Sequence, residues 1–176
     1  MIVLVGGGAR SGKSTFALQR AREMGRRRVF VATAEAGDAE MADRIAQHAK
    51  SRGRGFKTRE VPIRLVETLR TLDKADVVVL DCVTFWISNL LMAGLREAAV
   101  LRECGRLAQA LRRMTCHVVV VTNEVGMGLV PETPLGRTFR DVCGRAHQRL
   151  ARVADEVYFG ALGMMIRLKP QKGIES

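Results

Sequence analysis

Residues 1–14 read Met-Ile-Val-Leu-Val-Gly-Gly-Gly-Ala-Arg-Ser-Gly-Lys-Ser. The apolar run Met1 to Val5 predicts a strand. Gly7-Gly8-Ala9-Arg10-Ser11-Gly12-Lys13-Ser14 behind it fits G-x-x-x-x-G-K-S, the P-loop pattern. The spacing has a physical reason. Glycines let the backbone turn tightly and aim successive N–H groups into a concave anion nest. The helix expected after it, through Thr15 to Met24, adds the positive end of its dipole. Lys13 is expected to reach the β- and γ-phosphates and the Ser14 hydroxyl to hold Mg²⁺. The expected ligand is a nucleoside triphosphate with magnesium.

Outward from this stretch, short β-branched runs alternate with longer helical ones. Strands are expected over Met1 to Val5, Arg28 to Thr33, Val77 to Leu80, Val118 to Thr122 and Glu156 to Phe159, with Met164 to Leu168 as a further candidate. Helices are expected over Ser14 to Met24, Asp38 to Lys50, Arg64 to Leu72, Thr84 to Ala93, Glu97 to Met114 and Pro134 to Ala154. Arg52-Gly53-Arg54-Gly55 reads as a basic loop. This alternation predicts an α/β fold, a mostly parallel sheet with helices on both faces. Ligands bind such sheets at the carboxyl ends of the strands. The first four strand ends carry the P-loop, Ala32-Thr33-Ala34, Asp81 and Thr122-Asn123-Glu124, which are therefore expected to converge on one crevice.

The totals bound the function classes. The 176 residues are enough for one domain, 1–176, with a substantial core. The apolar runs Val77 to Leu80 and Val118 to Val121 are too short to cross a bilayer, so no membrane partner is expected. No basic segment precedes an apolar stretch at the N-terminus, so a signal peptide is not expected either. Cys82, Cys104, Cys116 and Cys143 form no C-x-x-C pair or zinc spacing. They read as buried, reduced thiols in a cytoplasmic protein. The net charge of +11 raises nucleic-acid binding. However, only Arg26-Arg27-Arg28 is a tight basic run, and the six Phe, one Tyr and one Trp do not interleave with the basic residues as stacking would need. A basic enzyme for phosphorylated substrates fits better, with no nucleic-acid partner.

Asp81 ends the run Val77-Val78-Val79-Leu80, a Walker-B pattern whose carboxylate would hold magnesium beside the P-loop. His48 lies near the end of a helix, just before the basic loop. An isolated helix histidine is more often a surface or capping residue. An imidazole near a triphosphate can also attack phosphorus, and residue chemistry alone leaves both readings open. His117 enters a strand and His147 sits in a helix, in structural or substrate-contact roles. The polar and small residues from Thr122 to Gly128 suit a substrate loop or an ordinary connection. Arg137, Arg140, Arg145 and Arg149 read either as a solvated face or as phosphate contacts.

Taken together, the P-loop at 7–14, Ala32-Thr33, Glu40-Met41 with Arg44-Ile45 and His48, Asp81-Cys82-Val83-Thr84 with Trp86 and Ser88-Asn89-Leu90-Leu91, Thr122-Asn123-Glu124-Val125-Gly126 with Val130-Pro131-Glu132, and Gly144 to Arg149 form an ordered set spanning nearly the whole chain. The set resembles the bifunctional adenosylcobinamide kinase/adenosylcobinamide-phosphate guanylyltransferases of cobalamin biosynthesis. The resemblance implies a RecA-like P-loop NTPase sheet assembled as a homotrimer. It implies phosphorylation of the aminopropanol hydroxyl of adenosylcobinamide by ATP or GTP. It further implies transfer of GMP from GTP onto that phosphate through a guanylyl-histidine, here His48. Implied GTP contacts are Gly7, Gly8, Ala9, Arg10, Ser11, Gly12, Lys13 and Ser14, then Ala32, Thr33 and Ala34, then Ala49, Lys50, Ser51 and Arg52, with Glu60 and Asp81. Mg²⁺ falls to Ser14 and Asp81, and the organic substrate is the corrinoid. The chain departs from some members in having Gln47 beside His48, Asp rather than Glu at 81, and His rather than Asn at 147.

Three other readings stand beside this one. They are a member with the guanylyltransferase alone, a small-molecule P-loop kinase with no covalent intermediate, and a nucleic-acid-binding P-loop ATPase. His48 separates the simple kinase from the other two transferases, and separate assays on cobinamide and cobinamide phosphate separate the guanylyltransferase alone from the bifunctional enzyme.

Overall fold

A computed structural model describes residues 1–53, 55–72 and 74–170, without the side chains of Arg44 and Ser51. Its frame is a seven-stranded sheet in the order β3-β2-β4-β5-β1-β6-β7. The strands are β1 (Ile2–Gly7), β2 (Arg28–Ala32), β3 (Lys57–Glu60), β4 (Val77–Asp81), β5 (His117–Val121), β6 (Glu156–Ala161) and β7 (Met164–Lys169). All neighbours pair in parallel except β6 and β7, which are antiparallel. The helices are α1 (Lys13–Met24), α2 (Ala39–Arg52), α3 (Leu65–Leu69), α4 (Val83–Met92), α5 (Glu97–Arg113) and α6 (Pro134–Val153).

The valine-rich strands are central because both of their faces are covered. Val77 to Leu80 and Val118 to Val121 are at most 1% exposed. Along β1 the side chains alternate between two cores, as the period of a strand requires. Val3 and Val5 pack with Ala17, Leu18 and Ala21 of α1 on one face. Ile2 and Leu4 join Leu69, Trp86, Leu107 and Leu150 from α3 to α6 on the other. Each such fully buried side chain stabilises the fold by roughly 1.5–3 kcal/mol. The expected two-faced parallel sheet is thus what the chain forms.

Two elements differ from expectation. β3 has no apolar signal, since Lys-Thr-Arg-Glu is exposed at all four positions. It forms because its backbone pairs with β2, and its charged residues shield an edge that would otherwise invite pairing with another chain. The helix expected over Arg64 to Leu72 stops at Leu69. Thr68 donates its hydroxyl to the Arg64 carbonyl (2.9 Å) and Thr71 to that of Thr68 (2.8 Å). Such back-bonding competes with the helix ladder. Arg54 of the expected basic loop lies outside the described residues.

Candidate functional site

The carboxyl ends of β2, β4, β5 and β1 lie side by side, so the segments that follow them form one crevice. At β1 the chain enters the P-loop. Gly12 caps α1 with φ +86°, a left-handed conformation that glycine tolerates, and Arg10 also has positive φ (+54°). Gly7 is needed for a different reason. A Cβ there would lie 2.7 Å from both the Gly160 carbonyl of β6 and the Ser11 hydroxyl. The loop is thereby seated on the neighbouring strand. Lys13 donates its ammonium to the Gly8 carbonyl (2.9 Å), folded back over its own loop. Burial pushes the Lys13 pKa down, opposed by the charge of Asp81.

Asp81 closes β4, in register with Ala32 of β2 and Val121 of β5. Its Oδ2 accepts the Ser14 hydroxyl (3.0 Å). Burial pushes the carboxyl pKa up. Ser14, His48, Lys13 and Arg52 pull it back, in that order. The two oxygens are hard donors already at contact distance, and they fit Mg²⁺, which takes few protein ligands and completes its shell with phosphate and water. Among the described residues no cluster of three or more His, Cys, Asp or Glu offers a denser metal site.

Asp38 starts α2, its side chain accepting the Met41 N–H (2.8 Å). Ile45, His48 and Arg52 follow at spacings of three and four, so they share one stripe of the helix. Arg52 is only 8% exposed and lays its guanidinium over the Phe30 ring, 4.1 Å from the centroid. Burial lowers its pKa, while the charges of Asp81 and Glu60 raise it. His48 is exposed on this stripe, yet close enough to Asp81 to stabilise its carboxylate. Glu60, at the end of β3, is likewise exposed. Ala49 and Lys50 occupy exposed positions of the same helical turns. The backbone of Ser51 lies in α2 and its side chain outside the described residues.

Thr33 differs in kind from its neighbours. It is fully buried, and its hydroxyl accepts the Cys82 N–H (2.8 Å) and donates to the Cys82 carbonyl (2.7 Å). Its N–H donates to the Asp81 carbonyl (3.1 Å) and its own carbonyl accepts the Asn89 amide (2.8 Å). Every polar group of Thr33 is therefore engaged inside the chain, where it ties β2 to the end of β4. Of the expected Ala32-Thr33-Ala34 contacts, that leaves its two neighbours to face a ligand. The Asp81–Cys82 peptide at this junction is cis.

On the opposite flank Thr122, Glu124 and His147 meet. Thr122 Oγ1 and His147 Nε2 lie 2.7 Å apart, and Glu124 Oε2 is 3.6 Å from His147 Nδ1. Burial pushes the His147 pKa down, opposed by Glu124. Asn123 donates its amide to Thr84 (3.1 Å). The polar strand end was legible in the sequence. The joining of Glu124 to a histidine 23 positions later in α6 was not, because helical spacing says nothing about which strand end a helix crosses. The same holds for Phe30 under Arg52. The third histidine, His117, begins β5 at the opposite, amino end of the strands. A groove of about 600 Å³ lined by Met1, Leu111, Asp155 and Lys169 also lies at that end, remote from the P-loop.

A family described as cobinamide kinase / cobinamide phosphate guanyltransferase matches residues 3–168. The bifunctional adenosylcobalamin biosynthesis protein CobU of Salmonella typhimurium is 40% identical, over 96% of this chain and 100% of its own length. The CobP protein of Pseudomonas aeruginosa is 39% identical, over 94% and 96%. The CobU protein of Escherichia coli is 38% identical, over 96% and 100%. Among solved structures, the RadB recombinase superposes with a TM-score of 0.52 at 20% identity, covering 90% of this chain and 73% of its own. A type III secretion ATPase gives 0.53 at 12% identity, covering 92% and 51%. These two show the fold, a RecA-like P-loop NTPase.

Proposed function

The chain belongs to the cobinamide kinase / cobinamide phosphate guanyltransferase family, and from that premise we propose that its single domain, residues 1–176, carries out both reactions through one nucleotide site. ATP or GTP first phosphorylates adenosylcobinamide. GMP is then transferred from GTP, through a guanylyl-His48 intermediate, to give adenosylcobinamide-GDP for cobalamin biosynthesis. The observation that carries this reading is the stripe of α2, which sets His48 beside Arg52 and within electrostatic reach of Asp81, next to the Ser14–Asp81 pair.

In the transfer, a neutral His48 nitrogen attacks the α-phosphorus of GTP. The bond to the bridging oxygen breaks, and pyrophosphate leaves with its electron pair. A phosphate oxygen of adenosylcobinamide phosphate then attacks the same phosphorus and His48 departs. Splitting one transfer into two lets each step use an in-line nucleophile. The P-loop N–H groups cradle the triphosphate, and Lys13 swings from the Gly8 carbonyl to it. Arg52, positioned by the Phe30 ring, offers a fixed cation for the charge that develops on the phosphates. Ser14 and Asp81 would hold Mg²⁺, which neutralises phosphate charge when bound. Ala32, Ala34, Ala49, Lys50, Ser51 and Glu60 complete the GTP surface by family resemblance.

By the same resemblance the enzyme is a homotrimer, while the reduced cysteines suit the cytoplasm and the scattered arginines and short apolar runs argue against nucleic-acid and membrane partners. No helix among the described residues is long and apolar enough to cross a membrane.

Incubation with Mg²⁺ and α-labelled GTP, without corrinoid, tests the covalent step. Label that survives denaturation and alkali, is lost in acid, and is absent from His48→Ala is the expected result. His48→Ala should still phosphorylate adenosylcobinamide. Retention of guanylyl transfer by a folded His48→Ala would remove His48 as the nucleophile, and no label in either protein, with GTP shown to bind, would leave a simple P-loop kinase.

A further inference from the structure

The two reactions ask different things of the protein. Guanylyl transfer uses an imidazole lone pair and then a phosphate that is already anionic. Phosphorylating an alcohol must also remove the hydroxyl proton, and kinases assign a carboxylate to it. Four carboxylates stand within three residues of the carboxyl ends of the parallel strands, and Glu35, after β2, is exposed with β4 and β5 between it and the P-loop strand. Asp81 has Oδ2 on the Ser14 hydroxyl, on the side that suits the metal. Glu60 ends the edge strand β3, with β2, β4 and β5 between it and the P-loop strand. Glu124 follows β5, which pairs directly with β1, and its N–H donates to the carbonyl of Gly7, the first P-loop residue, at 3.0 Å.

The Glu124 side chain is held at a defined angle. Oε1 accepts the Gly126 N–H at 2.5 Å, and the Gly126 carbonyl is fastened by Arg140 at 2.8 Å. Oε2 faces His147 Nδ1 at 3.6 Å, too far for a good hydrogen bond, and so keeps capacity to accept a proton. The side chain is 26% exposed, so the carboxylate is anchored without being sealed from an incoming substrate.

We propose that Glu124 is the catalytic base of the phosphorylation step, a role it does not play in guanylyl transfer. This rests on the bifunctional reading above. The hydroxyl proton passes to Glu124 Oε2 as the alcohol oxygen bonds the γ-phosphorus. The bond from that phosphorus to the β–γ bridging oxygen breaks, and the nucleoside diphosphate leaves with the electron pair. Glu124 then returns the proton to solvent through its exposed edge. The crevice thus has two flanks: His48 and Arg52 beyond β2 and β4 for GMP, and Glu124 beside β5 and β1 for the acceptor alcohol.

Glu124→Gln tests this, because the amide keeps an oxygen for the Gly126 N–H and loses only the basicity. Each variant is given adenosylcobinamide with ATP in one assay and adenosylcobinamide phosphate with GTP in another. Phosphorylation should fall on the order of 100-fold or more, the usual contribution of a positioned base. GMP transfer should be nearly unchanged, and Glu124→Asp should recover part of the phosphorylation. Wild-type phosphorylation by Glu124→Gln would overturn the proposal, as would equal loss of both reactions or loss of GTP binding, which would make Glu124 structural. A wild-type protein that turned over neither substrate would instead overturn the bifunctional reading, and this proposal with it.

Discussion

Single atoms decide most of what this crevice can do. The Thr33 hydroxyl bonds both backbone groups of Cys82, whose carbonyl also accepts the Trp86 N–H at 3.3 Å. Thr33→Val keeps the shape and leaves the Cys82 N–H buried without its partner, while the Cys82 carbonyl keeps the Trp86 N–H. It should cost about 1–3 kcal/mol, read as a lower midpoint in denaturant unfolding with an unchanged slope. Lys13 is buried and turned onto its own loop, poised as the mobile cation of the site. Lys13→Ala should reduce both reactions on the order of 100-fold or more, as loss of a preorganised transition-state donor does, with weaker GTP binding in equilibrium titration. Unimpaired guanylyl transfer in that variant would place the triphosphate elsewhere. The cysteines belong to this scale too. All four are free and buried, and burial pushes the thiols of Cys82 and Cys104 up to about 11 and about 12. They are packing groups, not nucleophiles.

Elements are joined by a few anchors whose behaviour can be measured. The turn from α1 into β2 is tied to the start of β4 by Asp76, whose carboxylate accepts the Arg26 and Arg27 N–H groups and the Arg27 guanidinium. These bonds hold its pKa at about 2, below the ordinary 3.8. A depressed carboxylate stabilises the fold above its unfolded value, and that stability is lost as pH falls through the folded one. The Tm of the wild type should therefore exceed that of Asp76→Asn by a constant margin near neutrality. The margin should shrink below pH 3.8 and close near pH 2. A gap independent of pH would show that the hydrogen-bonding shape of the side chain matters and its charge does not. At the same scale α2 acts as an arm, capped by Asp38 and pinned by Arg52 on Phe30, so that its exposed turn presents His48. Phe30→Leu should weaken the pin and slow guanylyl transfer more than phosphorylation, in the paired assays given above.

For the whole molecule, strand order is the controlling fact. Because β2, β4, β5 and β1 are adjacent and parallel, four segments far apart in sequence share one end of the sheet. The net charge of +11 then acts as a field that favours triphosphates and a phosphorylated corrinoid. If so, the protein should not retard DNA or RNA in a gel at low salt. Binding that weakened steeply with salt would point instead to a nucleic-acid ATPase. Sedimentation should give three times the 19.4 kDa of the chain, and a monomer that performs both reactions would show that no site is shared between subunits.

How much of this was readable in advance depended on range. Local rules acted within the P-loop, the valine runs of β4 and β5, and the helix carrying His48, so backbone sterics and hydrophobic period sufficed for the element types, the parallel sheet and the phosphate ligand class. The family resemblance added a role for His48 that residue chemistry alone left open. Strand β3 was invisible because an exposed edge needs no apolar side chains, only the backbone of β2. The inward commitment of Thr33, the Phe30 shelf beneath Arg52 and the meeting of Glu124 with His147 were decided by tertiary structure alone. Each is a contact between groups distant in the chain, and its energy exists only after the sheet has brought them together. The amino-acid sequence by itself thus determined the architecture and the nucleotide class, while packing decided which polar groups support the crevice and which are left to react.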